Sequence, residues 1–134
     1  MDSEAQPPAA ADARQTILVV EDEPPIQLLV RTVLEMQGHL VLSAGDAPAA
    51  LRLSEQHAGR IDLLVTDMGL PGMTGPELVE QLLAARPELR VLYISGNPSG
   101  DLILTGANPA SAQYLAKPFT PLTLIDVVRS MLAP

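Results

Sequence analysis

The sequence has no cysteine and no tryptophan, and its aromatic residues are two tyrosines and one phenylalanine among 134 residues. Without cysteine there is no disulfide framework, no thiolate metal site and no cysteine nucleophile. So few aromatics leave almost nothing on which nucleic-acid bases could stack. Basic residues are scarce too: 8 lysines and arginines face 16 aspartates and glutamates, a formal charge of −8 at pH 7. A nucleic-acid surface needs a phosphate-neutralising patch, so direct binding of DNA or RNA is not expected. No apolar run approaches the ~20 residues of a membrane-spanning helix, and membrane insertion is not expected either. The N-terminus lacks the charged-then-apolar order of a secretion signal. What remains is an acidic chain, expected to be cytoplasmic, whose length suits a single domain of ~100–150 residues.

Residues 1–15 contain Pro7, Pro8, five alanines and four charged side chains. With no apolar periodicity they cannot offset their ordering entropy, so a disordered leader or inter-domain linker is expected there. The domain is expected over 16–134. Short apolar runs at Ile17–Val20, Leu40–Leu42, Ile61–Val65 and Val91–Ile94, with a weaker one at Tyr114–Ala116, suit parallel strands buried on both faces. Segments with helical spacing alternate with them. Ile26, Leu29, Val30, Val33 and Leu34 share one helix face, and Gly38 is placed to stop that helix. Asp46 is a candidate N-cap, Pro76 a first-turn proline, and Thr120-Pro121 a cap followed by a proline. A fourth helix, expected near 99–107, is the weakest element, because prolines flank it and Gly100 and Gly106 lie within it. Five strand–helix units predict an α/β domain with a parallel sheet and helices on both faces.

Ligands of such sheets bind beyond the carboxyl ends of the strands. Glu21 and Asp22 follow the first run, Asp67 the third, Ser95 the fourth and Lys117 the fifth. Each has an ordinary explanation alone: acidic residues at a helix start, a turn aspartate, a Ser-Gly turn, a solvated lysine. Their coincidence on one sheet edge points to a site. Three carboxylates together repel, so the site must take up a proton or a cation. A hard divalent ion with oxygen ligands such as Mg2+ suits the set. An aspartate surrounded by such an ion, an ammonium and a hydroxyl can accept a phosphoryl group.

The chain resembles the receiver domains of bacterial two-component response regulators. The resemblance rests on ILVVEDEPP (Ile17–Pro25), LLVTDMGLPGMTGPEL (Leu63–Leu78), VLYISGNP (Val91–Pro98) and YLAKPF (Tyr114–Phe119), in order over about residues 16–132. It implies a flavodoxin-like, doubly wound three-layer sandwich with strand order 2-1-3-4-5. It implies Asp67 as the phosphorylated aspartate, and Asp22 and Asp67 as Mg2+ ligands with Glu21 acting mainly through water. The Gly69 backbone carbonyl would complete the protein ligands. Lys117 would pair with the phosphoryl group, Ser95 would be the switch hydroxyl and Tyr114 the aromatic that swings with it. The family often has a cis bond at the proline matching Pro118. The implied partners are a histidine kinase or histidine phosphotransfer domain, and a downstream protein on the face of the fourth helix, fifth strand and fifth helix. SG after the fourth strand and the run NPASAQYLAKPF (Asn108–Phe119) are most like receivers attached to hybrid histidine kinases. The domain would be a signalling phosphoacceptor rather than an enzyme.

Three features depart from the usual pattern. Gly69 has no side chain, so the steric control that position exerts on the attacking water is missing, Asn97 stands where kinase-attached relatives often have an aromatic, and the fourth helix is expected to be short or mobile. Two other readings compete. An aspartyl-phosphate hydrolase would need an acid two residues after Asp67, where Gly69 stands. A receiver-like docking module that is never phosphorylated would tolerate an incompatible pocket residue, and none is present. There is no phosphate loop and no nucleophile elbow. His39 and His57 lack metal-ligand spacing and are expected to be surface imidazoles. With no effector segment within the 134 residues, output is expected to come from a partner protein or another part of a longer polypeptide.

Overall fold

Strand β1 (Thr16–Val20) is buried along its whole length, and the parity of its side chains organises the molecule. Ile17 and Val19 enter one core, Leu18 and Val20 the other. The two central neighbours, β3 (Leu63–Asp67) and β4 (Arg90–Ser95), divide in the same way. Helices α1 (Pro24–Met36) and α4 (Pro121–Leu132) close the first core with Val30, Val33, Leu34, Leu124 and Val128. Helices α2 (Ala47–Gln56) and α3 (Gly75–Ala85) close the second with Ala47, Ala50, Leu78 and Leu82. Each large apolar side chain taken fully out of water contributes ~1.5–3 kcal/mol, so this alternation supplies most of the driving force.

The computed structural model describes residues 14–96 and 112–133. Within them β2 (Leu40–Ala44) and β5 (Ala112–Ala116) complete a parallel sheet in the order β2-β1-β3-β4-β5. The architecture is the expected flavodoxin-like sandwich. The helix expected near 99–107, its expected mobility and Asn97 all lie outside the described residues. Among the described residues, no helix is long and apolar enough to cross a membrane.

Local chemistry explains the element ends. Asp46 accepts the Ala49 N–H at 2.8 Å, and Thr120 accepts the Thr123 N–H at 3.1 Å, both as expected. Gly38 follows α1 with φ +92°, a left-handed conformation that suits glycine. Helix α3 starts on a reciprocal capping box: Thr74 Oγ1 accepts the Glu77 N–H at 3.3 Å, and Glu77 Oε1 accepts the Thr74 N–H at 2.9 Å. The T-x-x-E spelling of that box is in the sequence but did not enter the expectation.

Several expectations need correction. The edge strands β2 and β5 are not buried on both faces, because each has a neighbour on one side only; Leu40 is 39% exposed. Leu29, assigned to the buried face of α1, is also 39% exposed, since it lines an open groove beside Pro118 and Phe119. Asp67 and Ser95, which follow their apolar runs as expected, are the last residues of β3 and β4. His39 and His57 are half-buried rather than surface imidazoles.

At the end of the sheet remote from Asp67, Arg86 closes α3 and clamps the loop before β3. Its guanidinium donates to Ser54 Oγ, Ser54 O, His57 O and Gly59 O, each at 2.9 Å. A planar fork with fixed donors suits three carbonyls at once. Arg86→Met leaves those acceptors unpaired and is expected to cost about 2 kcal/mol of stability, read as a lower urea midpoint with Mg2+ absent. An unchanged midpoint would show that water replaces the clamp at no cost.

Candidate functional site

Sheet order decides which side chains meet. β1 and β3 are adjacent, so the residues at their carboxyl ends share one crevice. Glu21, Asp22 and Asp67 there each present an oxygen within 4.8 Å of the others. Glu21 is 2% exposed, Asp67 is half-buried and Asp22 faces solvent. Lys117 follows β5 at the far edge and reaches back over the strand ends. Its Nζ donates to Asp67 Oδ2 at 3.1 Å and to Glu23 Oε1 at 3.4 Å, and lies 3.4 Å from Glu21 Oε1. It is the only lysine in the chain.

The strand end is held by backbone as much as by side chains. Asp67 Oδ1 accepts the Gly69 N–H at 3.2 Å, and Thr66 Oγ1 donates to Asp67 O at 3.0 Å. The Gly75 N–H donates to Met68 O at 2.9 Å, drawing the start of α3 onto the end of β3. A Cβ at Gly75 would lie 2.5 Å from Asp67 O, so this close approach requires glycine. Gly75 is a site residue that the sequence reading missed. Gly69 is the opposite case: nothing lies within 4 Å of where its Cβ would be, and the space beside Asp67 is open.

Ser95 ends β4 at 1% exposure, and its carbonyl accepts the Lys117 N–H at 2.8 Å. Tyr114 is half-buried on β5 and stacks on Tyr93 of β4, with ring centroids 5.1 Å apart and planes 23° from parallel. Tyr93, also unsignalled in sequence, is 2% exposed, and burial foremost, with Tyr114 adding to it, pushes its hydroxyl up to about 12. The Lys117–Pro118 peptide is cis.

Charge balance identifies what the site lacks. Burial raises the Glu21 carboxyl to about 7, and Asp67 adds to the rise; the Glu23 N–H and Lys117 pull it down without prevailing. Burial acts to lower Lys117, but the hydrogen bond and charge of Asp67, then Glu21 and Glu23, hold it above the ordinary lysine value. Glu21 Oε1 is buried with no hydrogen-bond partner, although Lys117 Nζ stands 3.4 Å away. The two facts agree: the ammonium is near enough to offset charge, but its direction does not suit a hydrogen bond to Oε1. An orphaned buried carboxylate oxygen in an all-oxygen acidic cluster fits a small hard cation.

Comparisons with known proteins point to one family. The family model of the response regulator receiver domain matches residues 17–129. The chain is 30% identical over 117 residues to sensor kinase CckA of Brucella abortus (strain 2308), covering 87% of this chain and 12% of that protein. It is 34% identical over 121 residues to the hydrogenase transcriptional regulatory protein HoxA of Cupriavidus necator, covering 89% of this chain and 24% of that one. The chain thus spans a quarter or less of these two relatives. Among solved structures, the receiver domain from hybrid histidine kinase CckA superposes with a TM-score of 0.76 at 32% identity, covering 88% of this chain and 99% of that one. The receiver domain of NtrX from Brucella abortus gives 0.75 at 34% identity, covering 87% and 97%.

The raised Glu21 carboxyl has a consequence for stability. Its folded value, about 7, lies above the ordinary 4.5, so the folded protein keeps a proton that the unfolded chain releases. That contribution is full below the unfolded value and is lost as pH rises through the folded one. In EDTA, raising the pH from about 5 to about 8 is expected to lower the urea midpoint of the wild type relative to Glu21→Gln. A constant difference between the two would show that Glu21 is charged throughout.

Proposed function

The chain belongs to the response regulator receiver domain family of two-component signalling, and on that premise we propose that Asp67 accepts a phosphoryl group from a phosphohistidine. The donor is a histidine kinase or histidine phosphotransfer domain. The single observation that carries this reading is the Asp67 carboxylate, tied to Lys117 Nζ at 3.1 Å in an acidic crevice at the strand ends. The receiver unit is residues 16–134, with 1–15 as a leader or linker. The likeness to CckA is consistent with a place in a hybrid histidine kinase, and a cytoplasmic location follows from that role.

An Asp67 oxygen attacks phosphorus in line with the P–N bond of the donor. The O–P bond forms as the P–N bond breaks, and the imidazole leaves with the electron pair and takes up a proton from solvent. Lys117 orients the carboxylate and then stays beside the phosphoryl oxygens. Asp22, Asp67 and the Gly69 carbonyl, with Glu21 acting mainly through water, would hold Mg2+, which would supply the positive charge that lets one anion approach another. Ser95 donates its hydroxyl towards the new oxygens, and Tyr114 follows it inward. The downstream partner then reads the face of β5, the helix after it (α4) and the segment before it. The open space at Gly69 admits water to the acyl phosphate, which favours a short lifetime.

The donor needs a surface as well as a target. Beside Lys117, Ile26, Leu29, Pro118 and Phe119 line an apolar groove of about 330 Å³. It adjoins the crevice, so a protein that presents a phosphohistidine to Asp67 rests there. An apolar helix flank in the donor suits the chemistry of the groove.

Two experiments follow. Incubated with Mg2+ and a small phosphodonor, the intact protein is expected to gain the mass of one phosphoryl group, and EDTA or Asp67→Asn to abolish the gain. If no adduct forms and beryllofluoride does not bind either, the protein is a docking module and the reading fails. Leu29→Asp is expected to slow transfer from a phosphorylated protein donor about tenfold, the loss of roughly 1.4 kcal/mol, while transfer from the small phosphodonor is unchanged. Equal slowing with both donors would place the defect in the pocket instead of the groove.

A further inference from the structure

Helix α1 begins without a side-chain cap. Glu23 stands at the N-cap position with no such hydrogen bond, and prolines fill the first turn. A cap ordinarily contributes about 1 kcal/mol and fixes how the chain enters the helix. Here that entry matters beyond stability, because Glu21 and Asp22 are the residues just before it.

Gln27 supplies the missing anchor. Its amide nitrogen donates to Glu21 O at 2.9 Å and to Ala44 O at 3.1 Å. Ala44 O also accepts the Glu21 N–H at 3.1 Å. One side chain on the first turns of α1 therefore ties the helix to the ends of both β1 and β2. A primary amide has two hydrogens, and both are used. The tie passes directly to the acidic residues: the backbone it holds carries the Glu21 carboxylate, whose Oε2 accepts the Glu23 N–H at 3.2 Å. Asp22 lies between two residues fixed in this way.

We propose that Gln27 is a positioning residue for the cation site, setting where Glu21 and Asp22 stand relative to Asp67. The proposal rests on the phosphoacceptor reading and adds a residue to it. No group of Gln27 touches the reacting atoms. It acts through the Glu21 carbonyl, as outer partners of metal ligands do when they fix a ligand's direction.

Gln27→Met keeps the length and volume of the side chain and removes both donors. Isothermal titration calorimetry with MgCl2 is expected to show about tenfold weaker binding, the low end of the loss seen when such outer partners are removed. In EDTA, the Glu21 and Glu23 amides of this variant are expected to exchange hydrogen faster than in the wild type. Gln27→Asn keeps the amide but falls a methylene short, and the same two changes are expected from it, which preserves the test should Gln27→Met fail to fold. Arg86→Met, destabilised at the opposite end of the sheet, is expected to bind Mg2+ as the wild type does. Mg2+ affinity within about twofold of wild type in both Gln27 variants, or an equal fall in Arg86→Met, would overturn the assignment. Wild-type protein that does not bind Mg2+ at all would overturn the phosphoacceptor reading, and Gln27's role with it.

Discussion

Negative charge is crowded at one point of the sheet edge, and a single ammonium answers it. Glu21, Asp22 and Asp67 are brought within 4.8 Å because β1 and β3 are neighbours, while Lys117 comes from beyond β5. Two strands separate β5 from β1, so only a long flexible side chain spans the distance. The chain's sole lysine does so and still leaves Glu21 Oε1 without a hydrogen bond. Much of the surrounding backbone serves to hold this unfavourable arrangement. The capping box of α3, the close approach at Gly75 and the carbonyl tie of Gln27 all fix the positions of the loops that carry the charges. Such a site is poised for a ligand whose charge completes it.

The same economy appears in how the loop after β3 is built. Gly75 is forced to be small by the backbone of Asp67, whereas Gly69 is small although nothing crowds it. The first glycine concerns architecture, since a side chain would push α3 away from the strand end. The second concerns access, since a side chain there would project into open space. Two glycines six residues apart thus have opposite physical causes, and what surrounds each Cα separates them.

Much of the fold was legible in the sequence because its determinants are residue types at regular spacing. The central strands announce themselves as unbroken aliphatic runs, and Asp46, Thr120 and Gly38 mark helix ends by their chemistry. Glu21, Asp22, Asp67, Ser95 and Lys117 were legible as a set because each follows an aliphatic run and the topology sends every such end to one edge. Much of what escaped shares a different property: the partners are backbone atoms. Arg86 and Gln27 bind carbonyls, and a carbonyl has no residue identity to leave in a sequence. Gly75 answers to a carbonyl as well. Tyr93 escaped because an aromatic inside an aliphatic strand reads as core, and its pairing with Tyr114 depends on strand register. The partial exposure of β2 and β5 escaped because aliphatic content does not reveal which strands are edges.

That register also bears on how a change in the crevice would travel. Tyr93 is paired with Tyr114 across β4 and β5, and the next residue pair but one is Ser95 with Ala116. Side chains alternate along a strand, so Ser95 and Tyr93 lie on the same face of β4. The Ser95 carbonyl in turn accepts the Lys117 N–H at 2.8 Å. The hydroxyl proposed to sense the phosphoryl group, the aromatic proposed to move with it and the lysine bound to Asp67 are thus joined through two paired strands. A shift at Ser95 would cross only one residue pair to reach the stacked rings, whose half-buried member, Tyr114, stands on the edge strand. Edge position leaves β5 incompletely covered, so the displacement proposed at Ser95 would end on a surface open to another protein.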